Sequence, residues 1–162
     1  MIVFTRIDDR VIHGQTMVTW LAEYPCDGIV IIDDELAGNP VMAEIYKCAV
    51  PSSIKVHVFD LDTAVRRISE VEVSQKKYIL VFKSVLTFEK MVSLCKMPIT
   101  QVNVGPNSKR PDTIEIVPTI ALDEQEIEAY KKVAKAGIKI YFQIIPSIKK
   151  VWWDEVIQKK NV

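Results

Sequence analysis

Ten residues near the start of the chain concentrate the groups that could do chemistry: Arg6-Ile7-Asp8-Asp9-Arg10-Val11-Ile12-His13-Gly14-Gln15. They hold two arginines, two aspartates and one of the two histidines in the sequence. His13 is the candidate nucleophile or acid–base group, since neutral imidazole can attack and then carry a proton or a phosphoryl group. Arg10, three residues earlier, is near enough for its guanidinium to fork onto phosphate oxygens. Gly14 removes a Cβ beside the histidine and lets the backbone approach a ligand. Asp8 or Asp9 could accept the other imidazole N–H and fix the tautomer. The set suits phosphoryl transfer, in which positioning and charge stabilisation do most of the catalysis.

An apolar run, Met1-Ile2-Val3-Phe4, precedes the cluster and reads as a strand. Met17, Trp20 and Leu21 follow it at helical spacing. The cluster is thus a strand-to-helix loop, and the helix start offers free N–H groups and a partial positive charge to a phosphate. Further buried strands are predicted at 28–32, 54–59, 78–82, 99–104 and 138–145, with a short one at 113–117. Asn39-Pro40 opens a helix through about Val50, and Asp60 opens another with Ala64, Val65 and Ile68 on one face. Phe88, Met91, Val92 and Cys95 form a helical stripe. Asp123 with Glu126 makes a capping box for a helix stopping at Gly137, and Pro146-Ser147 is expected to start a last helix containing Trp152 and Trp153.

Strands alternating with helices predict a three-layer α/β/α fold with a mostly parallel central sheet of about six to seven strands. Loops after the strand ends gather on one edge of such a sheet, so Arg6 to His13, Asp33-Asp34, Lys83-Ser84 and Asn103-Gly105 are expected to share a rim. Asp33 and Asp34 read as helix caps or as a carboxylate pair. Lys83-Ser84 reads as a phosphate contact or a solvated strand end. His57, mid-strand between valines, reads as a sheet residue satisfied by a neighbour. One of Trp152 and Trp153 is expected to pack the last helix on the sheet, the other to be free for a subunit or partner contact.

Composition narrows the field. The 162 residues are 49 % hydrophobic, which is globular rather than disordered. Lys+Arg and Asp+Glu are both 21, so no excess positive charge serves nucleic acid or anionic lipid. Cys26, Cys48 and Cys95 lack metal-ligand spacing and are expected to be buried thiols in a reducing compartment. No apolar stretch approaches the ~20 residues of a membrane helix, and the first residues do not read as a targeting segment. A soluble, cytoplasmic protein is expected.

The Arg6 to Gln15 loop resembles the signature loop of the enzyme IIB component of the mannose/fructose/sorbose family of bacterial sugar phosphotransferase systems. Asn39-Pro40, Ala49-Val50-Pro51, Asn103-Val104-Gly105 and Pro146-Ser147 with Lys149-Lys150 look similar too, so the likeness covers residues 1–162 as one IIB domain. It implies that His13 accepts a phosphoryl group on Nδ1 from a phosphohistidine of enzyme IIA. That group then passes to a sugar held by the membrane components IIC and IID, with which the protein associates transiently. Arg10 matches the arginine that assists transfer; Arg6, Asp8, Asp9, Gly14 and Gln15 take positioning or phosphate-binding roles. No metal or organic cofactor is implied, and a homo-oligomer is allowed. Gly105-Pro106-Asn107 departs from the glycine-rich turn with methionine that many members carry. A histidine-phosphatase-like enzyme would need an Arg-His-Gly run and a second catalytic histidine. The remaining alternative is a non-catalytic doubly wound module that binds a ligand or partner at the same rim.

Overall fold

The computed structural model describes residues 1–160, so the last two residues of the expected 1–162 domain lie outside the described residues. In chain order the elements are β1 (Ile2–Ile7), α1 (Gly14–Glu23), β2 (Gly28–Ile32), α2 (Asp34–Ala37), α3 (Pro40–Cys48), β3 (Lys55–Phe59), α4 (Leu61–Val73) and β4 (Tyr78–Phe82). There follow α5 (Val85–Leu94), β5 (Gln101–Val104), β6 (Ile114–Val117), β7 (Ile120–Leu122), α6 (Glu124–Lys135), β8 (Lys139–Phe142), β9 (Val151–Trp152) and α7 (Trp153–Lys160).

The central sheet has seven strands in the order β3-β2-β4-β1-β5-β8-β9, parallel except for β9. Strands β2 and β4 are apolar on both faces because helices cover both. Ile29, Ile31, Ile79 and Val81 face a core shared with Met17 and Trp20 of α1 and Tyr46 of α3. Val30, Ile32, Leu80 and Phe82 point the other way, into a core shared with α4, α5, α6 and α7. This alternation along β2 and β4 is the period of two that a strand imposes.

Connections leave β1 towards β2 on one side and β5 towards β8 on the other, so the strand order reverses between β1 and β5. In open α/β sheets that switch point is where ligands settle, beyond the carboxyl ends of the strands. The two strands pair only there, Arg6 opposite Asn103 and Ile7 opposite Val104.

Local signals placed most helix starts. Asn39 caps α3 through the Met42 N–H with Pro40 in the first turn, Asp60 caps α4 through Thr63, and Asp123 and Glu126 form the full capping box of α6. Four details differ from expectation. The last helix begins at Trp153, not Pro146, because the Gln143 side-chain amide donates to the carbonyls of Pro146 and Ile148 and holds 143–148 as a loop. Trp152 instead pairs with Tyr141 in the short antiparallel β9, half-buried against that ring, while Trp153 is buried and packs α7 on the sheet. Strand β6 pairs with β7 in a separate hairpin, reversed at Thr119 in the left-handed region. The cysteines are not buried: Cys48 is exposed on α3, and Cys26 and Cys95 are half-buried.

Candidate functional site

The site begins with a buried ion pair at the end of β1. Arg6 has the same parity along β1 as Phe4, so it points to the α1 face, where its guanidinium lies 5.2 Å from the centre of the Trp20 ring. It is 1 % exposed. Arg6 Nε and Nη2 donate to Asp8 Oδ2 at 3.1 and 2.8 Å. Nη1 donates to Asn103 Oδ1 and, at 3.2 Å, to the Gln143 carbonyl, and Nη2 reaches the Ile144 carbonyl at 3.4 Å. Burial pulls the guanidinium below its ordinary pKa, and the Asp8 carboxylate opposes that shift.

Asp8 turns the pair into a template for the loop. Its Oδ1 accepts the Arg10 backbone N–H at 3.0 Å and lies 3.9 Å from Arg10 Nε. Its carbonyl accepts the Val11 N–H at 2.9 Å. Val11 sits at φ +60°, a conformation costly for a β-branched residue, on the order of 1–3 kcal/mol. The surroundings over-determine it, because Val11 and Ile12 drive their side chains into the α1-side core, 2 % and 7 % exposed. Two buried residues after a tight reversal leave the next one outside, and that residue is His13.

His13 is exposed and is the N-cap residue of α1, but its side chain caps nothing. Among the described residues no side chain hydrogen-bonds its imidazole, and the first turn of α1 contains no acid. The leading N–H groups of α1 are therefore open to an anion beside the ring. A Cβ on Gly14 would meet nothing within 4 Å, so the protein itself does not require glycine there and the space stays clear. Gln15 is exposed next to it. Arg10, its side chain 42 % exposed, stands at the mouth of the loop.

The aspartates do not take the role expected of them. Asp8 is occupied by Arg6 and the Arg10 backbone, and Asp9 Oδ2 accepts the Ser108 N–H at 3.1 Å. Neither bonds His13. They order the loop from beneath instead of orienting the ring.

The expected rim forms in part, without His13 or Arg10 in its cavity. Asp9, Asp33, Lys83, Ser84 and Gly105 line one cavity of about 270 Å³ at the carboxyl end of the sheet. Their individual roles are plain ones: Asp33 caps α2 through Leu36, Ser84 caps α5 through Leu86, and Lys83 pairs with Glu35 at 3.2 Å. Asp34 is exposed and accepts the Leu61 N–H. Asn103 and Gly105, expected on the rim, and Gln143, which no sequence motif marks, meet the Arg6–Asp8 pair directly. Asn103 lies inside the buried strand β5, and Gly105 and Gln143 directly follow β5 and β8, so their meaning depends on register.

His57 is remote from the loop, on the edge strand β3, stacked on Phe59 at 5.8 Å. It is exposed, not satisfied by a neighbour's hydrogen bond. Partial burial lowers its pKa, with the charges of Arg67, Lys55, Lys47 and Lys76 acting in the same direction. The folded state thus disfavours the imidazolium, and the unfolded chain binds the proton more readily. Stability is intact above the unfolded value of about 6.5 and falls as pH drops from there towards the lower folded value. Melting temperatures recorded from about pH 7.5 to 5.5 are expected to fall less for His57→Gln than for the parent protein. Parallel curves would exclude this linkage.

Taken together, the fold and loop define a doubly wound α/β protein with an exposed histidine at the helix start beside the switch point. Residues 2–162 match the family model of the phosphotransferase-system sorbose-subfamily IIB component, and the chain belongs to that family of sugar-transport proteins. It is 28 % identical over 159 residues to the mannose-specific EIIAB component of Escherichia coli, covering 98 % of this chain and 49 % of that protein. The chain therefore spans about half the length of the mannose-specific relatives it matches. The crystal structure of the IIBSor domain of the sorbose permease from Klebsiella pneumoniae superposes with a TM-score of 0.91 at 26 % identity, covering 99 % of this chain and 98 % of that one. That of manxB from Thermoanaerobacter tengcongensis gives 0.89 at 37 % identity, covering 99 % and 96 %.

Proposed function

We propose that the 1–162 unit is a phosphocarrier in which His13 accepts a phosphoryl group from a phosphohistidine of an enzyme IIA protein or domain. It then delivers that group to a sugar held by membrane IIC and IID components. The observation that carries this reading is the placement of His13, exposed and without a side-chain partner at the uncapped start of α1. A IIA domain accompanies IIB in the EIIAB name of the E. coli relative, which agrees with a IIA donor. No helix among the described residues is long and apolar enough to cross a membrane, and the reading assigns the sugar-conducting path to the IIC and IID components. The protein works at the cytoplasmic side and meets the membrane complex transiently.

In the first step a lone pair on the His13 imidazole, Nδ1 in the family pattern, attacks phosphorus in line with the donor's N–P bond. The new N–P bond forms as the old one breaks, the donor imidazole leaves with the electron pair, and the second ring N–H of His13 is released or shared with solvent. Charge on the three equatorial oxygens is met by the N–H groups at the start of α1 and by the Arg10 guanidinium. In the second step a sugar hydroxyl oxygen attacks the same phosphorus, His13 recovers the electron pair of the broken N–P bond, and the hydroxyl proton passes to the ring and restores its N–H. The chemistry needs neither metal nor organic cofactor.

Incubation with phosphoenolpyruvate, the general phosphotransferase proteins and a IIA protein is expected to add one acid-labile, base-stable phosphoryl group by intact mass. His13→Ala should carry none. Arg10→Ala should be labelled roughly 10²–10³-fold more slowly, the usual loss on removing one charge-stabilising donor. Normal labelling of His13→Ala would overturn the assignment.

A further inference from the structure

We infer that Asn103 is a positioning residue for phosphoryl transfer, acting on Arg10 through the buried Arg6–Asp8 pair. The inference rests on the phosphocarrier reading above and gives a role to a residue outside the Arg6 to Gln15 loop. Asn103 lies on β5 directly opposite Arg6, between Val102 and Val104, with a side chain that is 0 % exposed. Its amide is used at both ends: Oδ1 accepts from Arg6 Nη1, and Nδ2 donates to the Gln143 carbonyl at 3.1 Å. That second bond fixes which way the amide points, so the acceptor always faces the guanidinium.

The consequence is a directed chain. A guanidinium is a planar fork, so clamping one side sets the plane of the other. Asn103 and the Gln143 carbonyl hold Nη1, and this aims Nε and Nη2 at Asp8 Oδ2. With Oδ2 occupied, Asp8 turns Oδ1 to the Arg10 backbone N–H at 3.0 Å and towards the Arg10 side chain. Gly105 closes the back of the pair, since a Cβ there would lie 2.7 Å from both Arg6 Cζ and Asp8 Oδ2. Packing alone does not explain an amide in this strand. A leucine would fill the same space, and only Arg6 requires an acceptor at that point.

The path ends on a residue that touches the phosphoryl group only in the transfer step, so the effect should appear in rate at saturating donor and not in donor affinity. A small displacement of a charge-stabilising group is costly for rate. Asn103→Leu is expected to slow labelling by saturating phosphorylated IIA about tenfold, with the half-saturating IIA concentration unchanged. The decisive comparison repeats the substitution in the Arg10→Ala background. If Asn103 works through Arg10, the second loss should shrink to within about twofold, since residues acting as one unit are not additive.

Equal tenfold losses in both backgrounds would overturn the relay and leave Asn103 a structural residue. So would an unchanged rate in a folded Asn103→Leu protein. Should Asn103→Leu not fold, Asn103→Asp serves the same cycle: its carboxylate competes with Asp8 for Arg6 and should slow transfer by the same route. Failure of the parent protein to label at all would count against the phosphocarrier reading itself, a distinct result.

Discussion

Asp8→Ala is expected to lower the free energy of unfolding by about 3–5 kcal/mol, the usual cost of removing one partner of a buried ion pair. The guanidinium of Arg6 is 1 % exposed, and Asp8 Oδ2 takes two of its N–H donors. Alanine leaves that charge without a counter-ion in a place water does not reach. It also frees the Arg10 N–H and removes the template for the strained Val11 turn. At roughly 2–4 °C per kcal/mol for a chain of this size, the melting temperature should drop on the order of 10 °C. Urea denaturation measures the loss directly. The double variant Arg6→Met, Asp8→Leu should recover more than half of it, because no lone charge then remains buried. A double variant as unstable as Asp8→Ala would show that the loop depends on the polar network itself.

Gly105→Ala should cost about 2–4 kcal/mol although it adds a single methyl group. The new Cβ would run into Arg6 Nη2 and come within 2.7 Å of Arg6 Cζ and Asp8 Oδ2. None of these atoms can give way. Arg6 is held by Asp8, Asn103 and the Gln143 carbonyl, and Asp8 by Arg6 and the Arg10 N–H. Gly14→Ala is the matched control. Its Cβ meets nothing within 4 Å, so its stability should stay within about 0.5 kcal/mol of the parent. Chemical denaturation of the two variants side by side checks both numbers, and similar losses at the two glycines would contradict the steric account.

The contrast between these glycines shows how far sequence reading reaches. Gly14 adjoins His13 in the sequence, yet the fold leaves open space around it. Gly105 stands 91 positions beyond Gly14 in the chain and packs against Arg6 and Asp8. Helix starts were legible because capping is local: Asn39, Asp60 and Asp123 each bond an N–H three residues ahead. The start of the last helix is not local in this way. Its apparent start at Pro146 is overruled by the Gln143 amide, whose own position depends on β8 pairing with β5.

The sequence by itself determined the layered α/β class, the order of the longer strands and helices, the polar Arg6 to Gln15 loop and the candidate His13, all of which rest on local periodicity, capping and a contiguous motif. Only the tertiary structure decided how that loop is held. Parallel pairing sets Arg6 beside Asn103, 97 residues apart, and brings the Gln143 carbonyl to the same guanidinium. It also settled that Asp8 and Asp9 support the loop from below and do not bond the imidazole. Such roles depend on strand register and on the plane of one buried guanidinium, neither of which is written in the spacing of nearby residues.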